Sequence, residues 1–369
     1  MARVRRIGVM TGGGDAPGLN AVIRSVVKAS WNHGIGCLGL EDSFNGLIED
    51  NRTRLLTPAD VTGILRQGGT ILGTTNRGNP FAFPTATPTG IETTDVSQRC
   101  VDMFHQLGLD ALVVIGGDGT LAIAYEFFKR GIPIVGIPKT IDNDIVGTTS
   151  CFGFDSAVSF ATDAIDRLHT TAEAHHRVIA VEVMGRYAGW IGLYAGIAGG
   201  ADVILIPEIP FDLRYVAEHI KQREKWGARS SIVVVAEGAA PVGGKMAVVQ
   251  SAEVGRLERL GGMAQLVAAD LEKLTGKELR AVVLGHLQRG GAPTSFDRQL
   301  ATRFGSKAVE LLVEGDFGKV VVSHPPDIDA VPLEDVVGKI KHVPLQSDMI
   351  RTARAVGIHF GEAPRAAGS

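Results

Sequence analysis

Cysteine is scarce in this sequence, and its three copies, Cys37, Cys100 and Cys151, lie far apart with no CxxC spacing. An odd number of distant cysteines argues against a disulfide framework or a zinc site and predicts reduced thiols in a cytosol. The chain also lacks any apolar run near the ~20 residues that span a bilayer, and its first residues indicate a strand rather than a signal peptide. These absences predict a soluble, cytoplasmic protein.

A large excess of charge of either sign is missing as well, because 37 Lys and Arg face 40 Asp and Glu for a formal net charge of -3. This balance argues against a protein held by nucleic acid or by an acidic membrane surface. An anionic substrate would therefore need positive groups placed locally. The length of 369 residues suits two domains that share an interface, and the 47 glycines are unusually clustered.

Short apolar runs alternate with longer amphipathic segments along most of the chain. The strand-like runs begin at Arg6, Leu112, Ile132, Val178, Val203 and Ser231. Buried runs separated by helical segments predict an α/β protein with parallel sheets, whose catalytic loops gather at the carboxyl ends of the strands. Segments 76–94 and 238–244 are rich in Pro, Gly or Thr and predict surface loops.

Two glycine-rich turns follow predicted strands. Gly116, Gly117, Asp118, Gly119 and Thr120 form GGDGT, and Gly12, Gly13, Gly14 and Asp15 form GGGD. Glycines let the backbone approach a phosphate, and the helix that we expect to start near Thr120 aims free N–H groups at the anion. A capped strand-to-helix turn explains either motif alone. Two such motifs at strand ends favour a polyphosphate lying between two helix N-termini.

The segment 138–144, PKTIDND, carries two carboxylates, Asp142 and Asp144, beside Lys139 and Thr140. In an extended segment, side chains two residues apart point the same way. One carboxylate could take a proton from a substrate hydroxyl while the other helps to hold Mg²⁺. An Asp-rich turn that caps the next helix is the alternative.

Basic residues at the predicted strand edges suggest a phosphate site, since guanidinium groups bind phosphate in bidentate fashion. They are Arg177, Arg186, Arg280, His286 and Arg289. A surface ion pair explains any single arginine better. The whole set, with His286 and Arg289 both in GHLQRGG, favours a phosphate site.

These motifs, in this order, make the sequence strongly similar to the 6-phosphofructokinase family, and to its bacterial mixed-substrate type. The matching segments are TGGGDAPGLNAVIR, GGTILGTTNR, VVIGGDGT, PKTIDND, VIAVEVMGR, IAGGADVILIPE and VLGHLQRGGAPTSFDR. The resemblance implies two doubly wound three-layer domains with the active site in the cleft between them. Residues 1–153 plus 290–340 would bind the phosphoryl donor, and residues 154–289 plus 341–369 the sugar phosphate.

The resemblance also implies a role for each matching residue. Gly13, Arg77, Gly117, Asp118, Gly119 and Thr120 would bind the donor. Asp118 and Asp144 would hold Mg²⁺. Asp142 would be the catalytic base, with Thr140 beside the transferred group, and Arg186 would be a third catalytic residue. The substrate-binding residues would be Thr140, Asp142, Arg177, Met184, Gly185, Arg186, Glu237, Arg280, His286 and Arg289. Arg177 and Arg280 match arginines that reach across from a neighbouring subunit, which implies a homo-oligomer, a tetramer.

The implied reaction moves a phosphoryl group from ATP to the 1-hydroxyl of fructose 6-phosphate, in glycolysis. Two residues bear on the donor: Gly119 leaves room for the α-phosphate of ATP, whereas Lys139 is the residue of pyrophosphate-dependent relatives. We favour ATP, with a pyrophosphate-dependent phosphotransferase as the alternative and a non-catalytic sugar-phosphate regulator below it. Other sugar-phosphate acceptors stay open.

Effector control by ADP or phosphoenolpyruvate is not expected. Trp226 and Ala228 stand where allosteric relatives carry effector-binding lysines, and His169 replaces an arginine. Arg24, Lys28 and Asp202 keep part of such a site.

Overall fold

The computed structural model describes residues 4–87, 90–250 and 259–363. The strands are β1 Arg6–Thr11, β2 Gly36–Leu40, β3 Thr53–Leu56, β4 Phe83–Thr87, β5 Gly90–Thr94, β6 Ala111–Gly116, β7 Ile134–Thr140, β8 Phe152–Gly153, β9 Val178–Val183, β10 Val203–Leu205, β11 Ser231–Ala236, β12 Val248–Gln250, β13 Arg259–Leu260, β14 Leu279–Val283, β15 Lys319–His324 and β16 Asp327–Pro332. The α-helices are α1 Leu19–Asn32, α2 Asn45–Ile48, α3 Ser97–Gln106, α4 Asp118–Lys129, α5 Phe154–His175, α6 Trp190–Ala198, α7 Leu213–Lys225, α8 Met263–Thr275, α9 Ser295–Glu314, α10 Leu333–Val336 and α11 Asp348–Ala355. Short 3₁₀ helices span Ile64–Arg66, Pro80–Ala82 and Gly285–Arg289.

The first sheet has the strand order β16-β15-β7-β6-β1-β2-β3, with β8 paired to β7. Its inner strands run parallel, and β3 and β16 are added antiparallel at the two edges. Apolar residues of α1 and α9 cover one face, and those of α3 and α4 cover the other. Strands buried on both faces explain the continuous apolar runs in the sequence.

The second sheet is wholly parallel in the order β10-β11-β9-β14. Helices α5, α6 and α11 cover one face, and α7 and α8 cover the other. Each sheet is thus the middle layer of three. This architecture confirms the predicted α/β class with two doubly wound units.

The chain crosses between the two sheets three times: from β8 into α5, from the 3₁₀ helix Gly285–Arg289 into α9, and between α10 and α11. The first two crossings are joined by hydrogen bonds. The backbone N–H and the hydroxyl of Ser156 both donate to Oδ2 of Asp297, at 2.8 and 2.6 Å. The Thr294 hydroxyl donates to Oδ2 of Asp155 at 2.6 Å. The bond from the Ser156 N–H lets Asp297 of α9 cap the N-terminus of α5, so the two helices are joined where they begin.

The loop expected over residues 76–94 is partly wrong, because it contains the antiparallel hairpin of β4 and β5. The register pairs Thr87 with Gly90. Its Thr and Ile residues favour strands, and this local preference outweighed the Pro and Gly that suggested a loop. None of the helices in the described ranges is long and apolar enough to cross a membrane.

Candidate active site

The first glycine turn leaves β1 at Thr11 and is held by backbone hydrogen bonds. Gly12 N–H donates to Ile115 O at 2.9 Å, and Gly13 N–H donates to Thr75 O at 3.1 Å. Gly13 has φ 79°, a left-handed conformation that glycine adopts without strain. The Thr74 hydroxyl closes the turn by donating to Gly13 O at 2.6 Å. The loop is therefore pre-shaped at the carboxyl end of a central strand.

The second turn lies beside it, where β6 ends at Gly116. A Cβ on Gly116 would lie 2.4 Å from the Thr120 Cβ, so the tight turn needs glycine there. The helix α4 begins at Asp118, two residues before the predicted start, and Thr120 is buried. A Cβ at Gly119 would meet no described atom within 4 Å. Gly119 thus faces open space at a helix N-terminus.

Arg77 belongs to the same neighbourhood through the loop that supports Gly13. Its backbone N–H donates to Oγ1 of Thr75 at 2.9 Å, and Thr75 O accepts the Gly13 N–H. The Arg77 side chain is exposed. The structure therefore brings Arg77 to the edge of the first glycine turn.

Lys139 is 3% exposed, which is unusual for a lysine. Its ammonium donates to Gly14 O, and it lies 3.5 Å from the place of a Cβ on Gly13. Burial, followed by the charge of Arg289, lowers the pKa of Lys139 to about 8. This lysine is fixed beneath the first glycine turn.

The segment that carries the two acids is a turn, and the extended conformation predicted for it is wrong. Strand β7 ends at Thr140, and Asn143 has a left-handed φ of 51°. The turn is held because Asn143 Oδ1 accepts the N–H of Cys151 at 3.1 Å. The acids still interact, since the charge of Asp144 raises the pKa of Asp142.

Asp142 is buried, with 6% of its surface exposed. Its backbone N–H donates to Oγ1 of Thr140 at 3.0 Å. No hydrogen-bond donor among the described residues reaches its buried Oδ1. Burial raises its pKa to about 7, Asp144 adds to the shift, and Arg289 and Arg186 oppose it. A carboxylate with an unpaired, buried oxygen near neutral pKa is suited to receive a proton.

Asp118 lies across from these acids at the start of α4. Its Oδ1 accepts the N–H of Gly338 at 3.1 Å. Burial raises the pKa of Asp118, and the charge of Asp144 raises it further. The carboxylate of Asp144 therefore repels those of Asp118 and Asp142, and a bound cation would reduce this repulsion.

The turn that follows β9 is the part of the second sheet that lies on the side of the acid turn. Met184 N–H donates to Oε1 of Gln288 at 2.8 Å, and Arg186 N–H donates to Oε1 of Glu237 at 3.2 Å. Gly185 and Arg186 have positive φ values of 140° and 46°. Burial raises the pKa of Glu237. The turn 184–186 is thus anchored by Gln288 of the 3₁₀ helix Gly285–Arg289 and by Glu237, which directly follows β11.

Arg289 ends the 3₁₀ helix that also carries His286. Its Nη1 donates to Asp15 O at 3.0 Å, and the guanidinium packs against Gly14. It reaches the donor-side turn from the second sheet, whereas His286 is exposed. Of the predicted residues on the second sheet, Arg186, Glu237 and Arg289 therefore lie close enough to Asp142 for their charges to affect its pKa.

Arg177 and Arg280 do not join this group within one chain. Both lie at the amino ends of β9 and β14, and both pair with Glu278, Arg177 at 2.8 Å. Strand β9 has six residues, which separates its ends by about 20 Å at ~3.3 Å per residue. Within one chain, the structure therefore does not bring Arg177 and Arg280 together with Arg186, His286 and Arg289.

Of the residues weighed for effector binding, Arg24 and Lys28 lie on α1 beside the first sheet, and the others lie elsewhere on the second sheet. Asp202 is paired with Arg223 at 2.5 Å, and His169 Nε2 contacts Gly199 O at 2.7 Å. Trp226 is 74% exposed. The acidic part of the suspected site is thus already neutralised by a neighbouring arginine.

Sequence reasoning overlooked three side chains that hold the site. Gln288 anchors Met184, and its place inside GHLQRGG could have drawn attention to it. Lys341 contacts both Trp190 and the acid turn. No motif marks Lys341, and only tertiary structure brings it to the site.

The sequence matches the Phosphofructokinase family over residues 6–312. It is 51% identical over 361 residues to an ATP-dependent 6-phosphofructokinase of Chloroflexus aurantiacus, covering 98% of this chain and 99% of that protein. It is 48% identical over 360 residues to an ATP-dependent 6-phosphofructokinase of Spirochaeta thermophila, covering 97% of this chain and 98% of that protein.

Solved structures give the same picture of the fold. A T-state phosphofructokinase of Pichia pastoris superposes with a TM-score of 0.78 and 31% identity, covering 97% of this chain and 37% of that chain. A pyrophosphate-dependent phosphofructokinase of Marinobacter aquaeolei also gives a TM-score of 0.78, at 21% identity, covering 99% of this chain and 94% of that chain. At 21% identity, the similarity to the Marinobacter aquaeolei structure supports the fold and not a shared function.

Proposed function

The chain belongs to the phosphofructokinase family, and we propose that it transfers the γ-phosphoryl group of ATP to the 1-hydroxyl of fructose 6-phosphate. The products are fructose 1,6-bisphosphate and ADP, in glycolysis. The observation that carries the proposal is Asp142, a buried carboxylate with an unpaired oxygen between two glycine turns and two arginines. Near-full-length relatives named ATP-dependent support the donor.

Donor binding is assigned to the first sheet. The N-terminus of α4 at Gly117, Asp118, Gly119 and Thr120 would present backbone N–H groups to a polyphosphate, and the turn at Gly13 would lie beside it. Arg77 adds a cation at the edge of this site. Open space at Gly119 leaves room for a nucleotide. Lys139 already donates to Gly14 O, so its ammonium is held by the protein's own loop.

Magnesium is assigned to Asp118 and Asp144. Carboxylate oxygens suit this hard ion, and a cation would remove the repulsion from Asp144 that, after burial, raises the pKa of Asp118. No cluster of three acidic, His or Cys ligands occurs in the described part of the chain. Mg²⁺ needs only one or two carboxylates when phosphates and water complete its shell. Bound there, it would neutralise charge on the phosphates.

Sugar binding is assigned to the second sheet. Met184, Gly185, Arg186 and Glu237 would line the sugar, with His286 and Arg289 on its 6-phosphate. Asp142 would accept the proton of the 1-hydroxyl as that oxygen attacks the γ-phosphorus, and the bond to the β-phosphate oxygen breaks to release ADP. Thr140 would lie beside the transferred group, and Arg186 would be a further catalytic residue. Positioning and charge supply most of the catalysis in such a transfer.

We extend the proposal to the assembly and the domains. Arg177 and Arg280 would complete the sugar site of a neighbouring subunit, because they lie at the far end of the sheet in their own chain. Strand β14 is an edge strand that a second copy could cover. The two layered cores support a donor domain of residues 1–153 plus 290–340 and a sugar domain of residues 154–289 plus 341–369. We expect a tetramer.

The location of the enzyme is proposed to be the cytoplasm. Cys37, Cys100 and Cys151 are all unpaired and buried. Burial raises the pKa of each thiol to about 11 or 12, which keeps it protonated and unreactive. Such thiols suit a reducing compartment, the one where glycolysis runs.

The proposal is tested by measuring fructose 1,6-bisphosphate formation from fructose 6-phosphate and Mg²⁺, with ATP and with pyrophosphate in parallel. We expect turnover with ATP.

Turnover with pyrophosphate alone would favour the alternative suggested by Lys139, a pyrophosphate-dependent phosphotransferase. No turnover with either donor, but binding of fructose 6-phosphate, would instead indicate a sugar-phosphate regulator. Sedoheptulose 7-phosphate in the same assay tests acceptor choice.

The pH dependence of the reaction should report on Asp142. The base must be ionised, so kcat/KM should fall about tenfold per pH unit below its raised pKa of about 7. The second ionisation of a sugar phosphate occurs near ~6, so a limb at that value would reflect the substrate instead. The residual activity of Asp142→Asn should lack the limb near 7. A wild-type profile flat from pH 6.5 to 8 would contradict the assignment.

A further inference from the structure

A segment of residues 338–343, here called the strap, runs along the acid turn. It lies beyond residues 6–312, the range that matches the family. It connects α10 to α11 and so crosses from the first sheet to the second. Ile340 forms an antiparallel bridge with Ile145, and Lys341 N–H donates to Asp144 O at 2.7 Å. The strap therefore pairs with the acid turn as a short strand would.

The Lys341 side chain holds the same turn at its other end. Its ammonium donates to Thr148 O at 2.9 Å and to Thr149 O at 3.2 Å. Together with the backbone bond to Asp144, these contacts bind one residue to both ends of segment 144–149. A three-donor ammonium is well suited to join carbonyls that face the same point.

Lys341 is also tied to the second sheet. Its carbonyl accepts the indole N–H of Trp190 at 2.7 Å, and its ammonium lies 5.4 Å from the centre of the Trp190 ring. Trp190 is the first residue of α6, four residues after Arg186. One residue thus links the turn that carries Asp142 and Asp144 to the turn that carries the sugar-side arginine.

We propose that Lys341 is a positioning residue that sets the distance between Asp142 and the sugar-binding turn 184–186. It touches no proposed substrate position itself. Its main chain is bonded to Asp144 and Trp190, and its ammonium fixes the far end of the acid turn at Thr148 and Thr149. The inference rests on the proposed phosphoryl transfer. It adds a residue outside every motif in the sequence.

The proposal predicts a specific kinetic change. Donor and sugar bind to opposite sheets, and loss of the Lys341 contacts leaves both binding surfaces intact. Asp142 would then be slightly displaced from the 1-hydroxyl of the bound sugar. A displacement near 1 Å can lower the rate by about 10²-fold. We therefore expect kcat to fall while both KM values stay nearly constant.

The test uses the full chain with Lys341→Met, which removes the ammonium and its bonds to Thr148 and Thr149 but leaves the main-chain bonds to Asp144 and Trp190 in place. We expect kcat to fall by about 10- to 100-fold, with KM for ATP and for fructose 6-phosphate within about threefold of wild type. Lys341→Arg, which can still donate to two carbonyls, should recover most of kcat. Lys339→Met is the matched control, since Lys339 is exposed and its ammonium donates only to Asp335 O within the described residues.

Calorimetric binding of fructose 6-phosphate alone and of ADP alone gives a readout independent of turnover, and both affinities should be unchanged in Lys341→Met. A wild-type kcat in this variant, or raised KM values with kcat unchanged, would overturn the proposal. If Lys341→Met fails to fold, Trp190→Phe replaces it: loss of the indole donor should lower kcat several-fold, and an unchanged kcat counts against the proposal. An inactive wild-type enzyme would instead refute the proposed function.

Discussion

Replacing Asp142 with asparagine should lower kcat by about 10²–10⁴-fold, the usual loss when a general base is removed. Asparagine has nearly the same shape, so the turn at Asn143 and the bond to Thr140 should persist. Binding of fructose 6-phosphate, measured by calorimetry, should change far less than kcat. An Asp142→Asn enzyme with near-normal turnover would show that another group takes the proton.

The same substitution should make the protein without ligands more stable at pH 8. The folded state raises the pKa of Asp142 from 3.8 to about 7, so stability is lost as pH rises from about 4 to 7. Asparagine removes this loss because it has no charge to bury. The melting temperature of Asp142→Asn should exceed that of wild type at pH 8, and the difference should shrink towards pH 4. A variant less stable than wild type at pH 8 would contradict the burial argument.

Replacing Gly119 with aspartate should lower kcat/KM for ATP by about 10²–10³-fold. Two like charges about 5 Å apart at an effective dielectric of about 20 repel by about 3 kcal/mol, which is more than two powers of ten. The carboxylate would stand in the open space that we assign to the α-phosphate. Folding should tolerate the change, because an acidic residue near a helix N-terminus is favourable.

Two matched variants separate charge from volume at this position. Gly119→Asn has the size of aspartate without its charge, and Gly119→Ala adds only a methyl group. We expect losses in the order Asp, then Asn, then Ala, with little effect on any activity with pyrophosphate. If Gly119→Asp uses ATP as well as wild type does, the nucleotide does not pass Gly119, and the donor assignment fails.

Part of the candidate site was predictable because its signals are local. The glycines after β1 and β6 stand where the backbone must turn at a strand end, as the left-handed Gly13 and the crowded Gly116 show. Asp142 and Asp144 could be identified as candidate site residues because carboxylates seldom follow a buried strand unless they bind a cation or another partner. Their conformation was predicted wrongly, since the left-handed Asn143 depends on a bond to Cys151, eight residues away.

The other contacts of the site could not be predicted because they join residues that are far apart in the sequence. The ammonium of Lys139 meets Gly14 O, 125 residues earlier in the chain, and Arg289 meets Asp15 O, 274 residues away. Lys341 reaches Asp144 and Thr148 only because the chain crosses between sheets a third time. No spacing in the sequence encodes such neighbours.

The sequence by itself determined the fold class, the two glycine turns and the chemical groups available for phosphoryl transfer, because strand burial, turn conformation and residue type are properties of short segments. Tertiary structure alone decided that Asp142 is buried with a pKa near 7, that Lys139 is bound beneath the donor turn, and that Arg177 and Arg280 lie apart from the intrachain site. These features follow from burial and charge, which are set by atoms far away along the chain and close by in space.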